Sequence, residues 1–296
     1  MIHKYFKRWV FALVLSIGLI LMQSCERIND HKENGIQLAT DYCSMQSDFA
    51  AIVEVADQMG DQTTAKGTPI KFLLDAFGRQ TVVRALDTTY FDGDGIEFEI
   101  DFGPTSLPLS ENQRGYDGKY RAGKMHVKIE THYQEKLSKL EIEINKSDNY
   151  WVGRNPSQPH NIAASLSLSR QDSKKHEISI ESFEFLGQKA ITLNGTFQLN
   201  KLTSVNPGVI GNNYQLTGSG SLLNSENEKQ NWEIKQPLVK KVVPGCSGEF
   251  VSGMIELNNN DKSAMISIDY DPFDNESCDR IVRATVAGKN TDITLD

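Results

Sequence analysis

A mainly β fold, an antiparallel sheet or sandwich with one N-terminal amphipathic helix, is predicted by three features of this 296-residue sequence. The first is strict alternation. In "GIEFEIDFG" the residues Ile96, Phe98, Ile100 and Phe102 alternate with Glu97, Glu99 and Asp101, giving one apolar and one acidic face. The second is repetition of that pattern in roughly a dozen short segments separated by polar or Gly-containing turns. One face of most segments is charged or hydroxyl-rich and must stay wet, which antiparallel sheets permit and parallel ones rarely do. The third is a change of period upstream. Ala39, Tyr42, Phe49, Ile52, Val53, Ala56 and Met59 recur at helical spacing and predict a helix over 36–60 with one buried stripe.

The chain opens with a targeting pattern. Lys4, Lys7 and Arg8 precede an apolar run from Trp9 to Met22, too short for a bilayer span of about 20 residues, so 1–24 is expected to be a removable signal peptide. "LMQSC" resembles the lipobox of bacterial lipoproteins, with Cys25 as the lipidated first residue and Met22 and Gln23 as departures from the usual pattern. Acyl chains on Cys25, palmitate among them, would tie the protein to a membrane, since each buried CH₂ contributes about 0.8 kcal/mol and two chains hold stably. Glu26 replaces the aspartate of the inner-membrane retention signal, which favours the outer membrane, on its periplasmic face or at the cell surface. Residues 25–35 are polar and suit a tether.

After the helix, 70–296 is expected to form the β domain, with a boundary between two lobes, if there are two, near 205–213 in "VNPGVIGNN". In "HEISIESFEF" the apolar parity slips between Ile180 and Phe183, which predicts a bulge near Glu181 and Ser182. "GIEFEIDFGPT" and "AMISIDYDPFD" each run as an alternating strand ending in Ile-Asp-aromatic, followed by a polar turn and a return strand, and look like copies of one hairpin.

The lipobox, the helix behind it, "FEIDFGPT", "DGKYRAGKMHVKIETHY", "WEIKQPLVKK", "PGCSGEFVSGMIEL" and the ending "ISIDYDPFDNESCDRIVRATVAGKNTDITL" together resemble a family of uncharacterised Bacteroidota lipoproteins. The resemblance touches about half of the chain beyond the signal peptide and implies envelope display without implying a reaction. The first hairpin lacks the cysteine that such relatives carry after the position of Gly103, which leaves Cys246 and Cys278 as the remaining pair.

Those two cysteines also sit in turn-rich sequence flanking a predicted hairpin of an exported chain, where pairing is favoured. A bridge would close about 33 residues and contribute roughly 3–4 kcal/mol. Cys43, beside the helical stripe, is expected to be a buried free thiol, with a bond to the β region as the competing reading.

A formal charge of −8 with dispersed basic residues excludes a nucleic-acid binder, which needs a concentrated positive patch. There is no His-Glu-x-x-His, Gly-x-Ser-x-Gly, Walker or dinucleotide motif, and no cofactor is expected. Asp271, Asp274 and Glu276 offer oxygen ligands to a hard cation, but the spacing fails an EF-hand loop and suits a sharp turn. His126, His132, His160 and His176 are expected on solvated sheet faces or near strand starts. Trp232 is expected in the core, and the Gly-Ser alternation of "TGSGSLL" marks a strand closely approached by a neighbour. Trp151 and Tyr150, in a polar and Pro-rich stretch, are candidate ligand contacts.

The expectation is a lipid-anchored envelope protein acting as a non-enzymatic display, adhesion or interaction module, with envelope proteins or glycans as partners. Two alternatives follow from the same residues: a glycan-binding accessory lipoprotein using Trp151 and Tyr150, and a glycan hydrolase with two carboxylates facing across a cleft, for which Glu97 and Glu99 exemplify the residue type.

Overall fold

In the computed structural model, the described residues form a single N-terminal helix, α1 (33–61), within an antiparallel sheet of fifteen strands. The structure describes residues 33–61, 63, 77–88, 92–133, 135–187, 190–202, 213–224, 228–243, 246–258 and 265–295. The signal peptide, Cys25, most of the tether and most of 205–213 lie outside them. Among the described residues no helix is long and apolar enough to cross a membrane.

The strands are β1 (Val82–Asp87), β2 (Ile96–Asp101), β3 (Tyr120–Ala122), β4 (Lys124–Ile129), β5 (Lys139–Ile144), β6 (Tyr150–Gly153), β7 (His160–Arg170) and β8 (Lys175–Leu186). They continue as β9 (Ile191–Lys201), β10 (Tyr214–Leu223), β11 (Lys229–Val243), β12 (Cys246–Asn258), β13 (Ile266–Asp269), β14 (Ile281–Val286) and β15 (Lys289–Thr294). Apart from the short β3 and β6, which form a side ladder joined to β7, strand order follows chain order as a meander.

The apolar residues of alternate positions all turn to one face. Ile96, Phe98 and Ile100 of β2, Met125 and Val127 of β4 and Leu140 and Ile142 of β5 are fully buried in one continuous core. Side chains from distant strands meet the same helix. Phe49 contacts Phe183 of β8 and Phe197 of β9, Tyr42 contacts Trp232 of β11, and Gly35 lies against Val286 of β14 and Ile266 of β13. The sheet therefore folds around α1.

This enclosure corrects the picture of a helix with one buried stripe. Every position from 48 to 60 is buried, and an open stripe survives only earlier, through Gln37, Thr40, Asp41, Ser44 and Ser47. The helix ends where Gly60 meets Tyr133. A Cβ at Gly60 would stand 2.5 Å from that ring, so only glycine admits the contact.

The bulge expected in β8 is present at the expected place. Its register against β9 shifts between Ile180 and Phe183, and against β7 Ser182 pairs with Ser165 while Ile180 pairs with Leu166, which leaves Glu181 as the extra residue. The two similar hairpins share a local device. Asp101 Oδ1 accepts the Gly103 N–H at 2.9 Å and Asp269 Oδ1 accepts the Asp271 N–H at 2.9 Å, each turning the chain so that the intervening aromatic, Phe102 or Tyr270, enters the core. Trp232 is buried, donates its Nε1–H to the Asn194 carbonyl at 3.1 Å, and stacks on Phe197. Gly220 lies under it, where a Cβ would meet the indole at 2.8 Å, so the glycines of "TGSGSLL" do mark a close approach.

The bridge expected between Cys246 and Cys278 falls partly outside the described residues. No bridge joins two described cysteine side chains: Cys43 is a free, buried thiol, pushed up to about 12 by burial, and the side chain of Cys246 lies outside the described residues. Cys278 is not a free thiol. Cys43 is buried beside Tyr270.

Candidate functional site

The open stripe of α1 shows through a gap in the sheet. There Thr40, Asp41, Ser44, Ser47 and Asp48 of the helix meet Lys119, the segment from Gly153 to His160, Glu249 and Leu295 around a cavity of about 210 Å³. Its floor is charged and fixed. Asp48 Oδ1 accepts from Lys119 Nζ at 2.5 Å and Oδ2 from His160 Nδ1 at 2.6 Å, while Arg154 and Glu249 pair on the wall. Burial opposes the charge on Asp48, but Lys119 and His160 outweigh it and hold the carboxyl below its ordinary range. Burial likewise pulls the Lys119 ammonium below its usual value, against the pull of Asp48.

An ionised Asp48 accepts from His160 Nδ1, which fixes the orientation of the imidazole. The ring is held flat against Phe185, with centroids 4.4 Å apart, and its side chain is 40% exposed. His160 and Asp41 also line a second cavity of about 250 Å³, with Trp151, Pro159, Asn161, Phe185, Leu186, Gly187 and Ile191. The two cavities thus form one groove jointed at Asp41 and His160.

Register explains the second half of that groove. Trp151 of β6 pairs with Asn161 of β7, which pairs with Leu186 of β8, so the three stand in one row on one face. Trp151 packs against the cluster of Leu109, Tyr120 and Ala122 and donates its Nε1–H to Asn149 Oδ1 at 2.9 Å, which fixes the indole. Asn161 Oδ1 is buried without a hydrogen-bond partner. Tyr150, one residue before Trp151, points to the opposite face and is fully buried against Phe102. The two candidate aromatics therefore do not share a surface; Trp151 alone faces the groove.

The other candidates resolve as turn or fold chemistry. Asp271 accepts backbone N–H groups of Asn275 and Glu276, Glu276 pairs with Lys241, and Asp274 and Glu276 take left-handed conformations. Asp271, Asp274 and Glu276 thus build a turn. Asp87, Asp92 and Asp94 converge within 4.8 Å, an exposed acidic group at the edge of the sheet. Glu99 is matched by Lys124 and Arg84, and the Ser165 hydroxyl lies between Glu143 and Glu181 on the outer face.

What the sequence reading missed is a set of ion pairs inside the sheet. Glu54 meets Lys240 and accepts from the Tyr116 hydroxyl at 2.8 Å. Asp57 accepts from Tyr133 and pairs with Lys201, and Asp61 pairs with Lys201 and Arg170. Asp117 and Arg121 pair beneath Lys119. His176 corrects the expectation of solvated histidines: it is 1% exposed, stacked on Tyr133 and 3.7 Å from Asp57, with neither ring nitrogen hydrogen-bonded.

These groups predict stepwise loss of stability in acid. Burial lowers the pKa of His176, so on acidification the unfolded chain binds a proton first, and stability falls as pH drops below about 6.5. Asp48, Asp61 and Asp117 are depressed in the fold, Asp117 to about 2, where Arg121 outweighs its burial. Their contribution is complete above the unfolded carboxylate value of about 4 and is lost as pH falls through their lower folded values. Urea midpoints measured from pH 8 to pH 2 should show both declines, and His176→Gln should remove only the first.

Comparison with protein-family models, with characterised proteins and with solved structures returns no match for this chain.

Proposed function

We propose that the protein is a lipid-anchored, non-enzymatic interaction module of the outer membrane. The observation that carries this reading is the enclosure of α1. The inner face of the sheet is filled by a helix buried on all sides from 48 to 60, so recognition falls to the outer face, the rims and the groove. The anchor rests on the lipobox and the charged, apolar and polar sequence of its leader, and the resemblance to Bacteroidota lipoproteins points the same way. A chain starting at Cys25 reaches the first helical residue, 33, within a tether of about 30 Å at full extension, enough to hold the sheet just clear of a bilayer. Metabolic labelling with an alkyne fatty acid tests the anchor: the wild-type chain should take up the label and Cys25→Ala should lose it. Label retained by the variant would remove the anchor. In-cell crosslinking should return envelope proteins or glycans as neighbours, and a cytoplasmic neighbourhood would overturn the reading.

A further inference from the structure

We propose that Lys119 and Asp48 condense into an isopeptide bond that joins α1 to the residue preceding β3. Amine and carboxyl are in contact and shut in: Lys119 Nζ lies 2.5 Å from Asp48 Oδ1, and the two side chains are 6% and 3% exposed. The other carboxyl oxygen, Oδ2, is held by His160 Nδ1 at 2.6 Å, so a nucleophile and a proton carrier meet one carboxyl group at different oxygens. His160 is 40% exposed at its side chain and lines both cavities, so it exchanges protons with water while the pair beneath it is sheltered.

A further feature separates this pair from the other buried ones. Burial pulls the Lys119 ammonium below its usual value; Asp48 pulls back, but the nearby Arg154 charge adds to the effect of burial and brings the free amine closer to hand. Lys240 and Lys201 are buried as well, yet Glu54 in one case and Asp57 with Asp61 in the other outweigh burial and keep the ammonium charged. Neither of those pairs has the proton carrier. Glu54 meets the Tyr116 hydroxyl, which burial and Glu54 itself make a still weaker acid, and His176 stays 3.7 Å from Asp57 with no hydrogen bond at either ring nitrogen.

The reaction is a condensation and needs no oxidant. Lys119 Nζ gives one proton to water, and protonated His160 presents its Nδ1–H to Asp48 Oδ2. The Nζ lone pair adds to Cγ and forms the C–N bond. The Cγ–Oδ2 bond breaks, and Oδ2 leaves as water with one proton from Nζ and one from His160 Nδ1, while Oδ1 stays as the amide oxygen. His160 recovers its proton from solvent, so one ammonium and one carboxylate become one amide and one water. The cavity above the pair, about 210 Å³, gives that water an exit. The bond spans 71 positions of the chain and restrains the unfolded state as a disulfide does, without depending on redox conditions.

The crosslink is independent of the anchor at Cys25. The test is tryptic digestion and mass spectrometry of the folded full chain. Peptide 33–66 should be found joined to 115–121, uncleaved after Lys119, at the summed mass less about 18 Da. Lys119→Met and Asp48→Ala should each abolish the joined peptide. His160→Ala, which keeps both partners, should slow its formation by about tenfold or more. Separate peptides 33–66 and 115–119 in the wild-type digest would overturn the proposal, and so would a joined peptide that persists in Asp48→Ala. A loss of water confined to 115–121 would also overturn it, since that marks a succinimide at Asp117 before Gly118. Formation at an unchanged rate in His160→Ala would overturn the mechanism.

Discussion

Replacing Lys240 with methionine is expected to destabilise the protein by about 3–5 kcal/mol, because it strands a buried carboxylate. Glu54 and Lys240 are each about 4% exposed at their side chains, one on the enclosed helix and one on β11. Burial works against the Lys240 ammonium, yet Glu54 outweighs it and holds its pKa well above the usual value, and the ammonium also lies 5.1 Å from the Tyr214 ring. Methionine keeps the length of the stem and removes the charge. The Tyr116 hydroxyl still donates to Glu54, but a neutral donor does not balance an anion at that depth. A second change, Glu54→Gln, should recover most of the loss, since an amide still accepts from Tyr116 and needs no counter-ion. Urea unfolding of the two single variants and the double variant measures the coupling directly. If Lys240→Met alone stays within about 1 kcal/mol of wild type, the pair does not hold the helix in register.

The same pair shows where sequence reading succeeded and where it stopped. Alternation located the strands because β2, β4 and β5 are dry on one face and wet on the other, and a parity slip located the β8 bulge to the residue. The helix was found by its period but its surroundings were not. Asp48, Glu54 and Asp57 read as a solvated face when only the helix is considered, since carboxylates are buried only with partners. The partners were visible in the strands. Lys240 shares inward parity with Leu238 and Val242, Arg170 with Leu166 and Leu168, Lys201 with Phe197 and Leu199, and His176 with Ile178 and Ile180. A cation on the apolar parity of a strand, in a chain whose helix carries acids among its apolar residues, is the signal of an enclosed helix. The groove was half legible. Trp151 was singled out, but its neighbours came from registry: Asn161 lies opposite it across β6 and β7, and Asp41 and His160 approach from elements far away in sequence. Only pairing in three dimensions separates the buried Tyr150 from the groove-facing Trp151.

Phe49→Ala should produce the second large loss, about 3–5 kcal/mol, because Phe49 ties the helix to two strands directly and to a third through Phe197. Its ring stacks on Phe197 at 4.8 Å and meets Phe183 edge-on at 6.0 Å; Phe197 in turn stacks on Trp232 at 4.6 Å, and Trp232 lies 6.3 Å from Tyr42, back on the helix. The rings therefore close a circuit from α1 through β9 and β11 to α1, with Phe183 of β8 as a branch at Phe49. Alanine would open a cavity in the middle of that circuit, where packing from all sides of the helix leaves little room to collapse. Leucine at 49 keeps most of the volume and gives up the ring geometry, so it should cost less, the aromatic pairs contributing about 0.5–1.5 kcal/mol each. The distinguishing readout is Trp232. If the circuit is continuous, Phe49→Ala should shift the emission of this buried indole although the two side chains are on different elements, through the loosened Phe197. Thermal unfolding followed at the indole should then lose cooperativity along with midpoint. A variant that is destabilised with Trp232 emission unmoved would mean that the helix is held by its ion pairs, and that the aromatic core of β8, β9 and β11 stands without it.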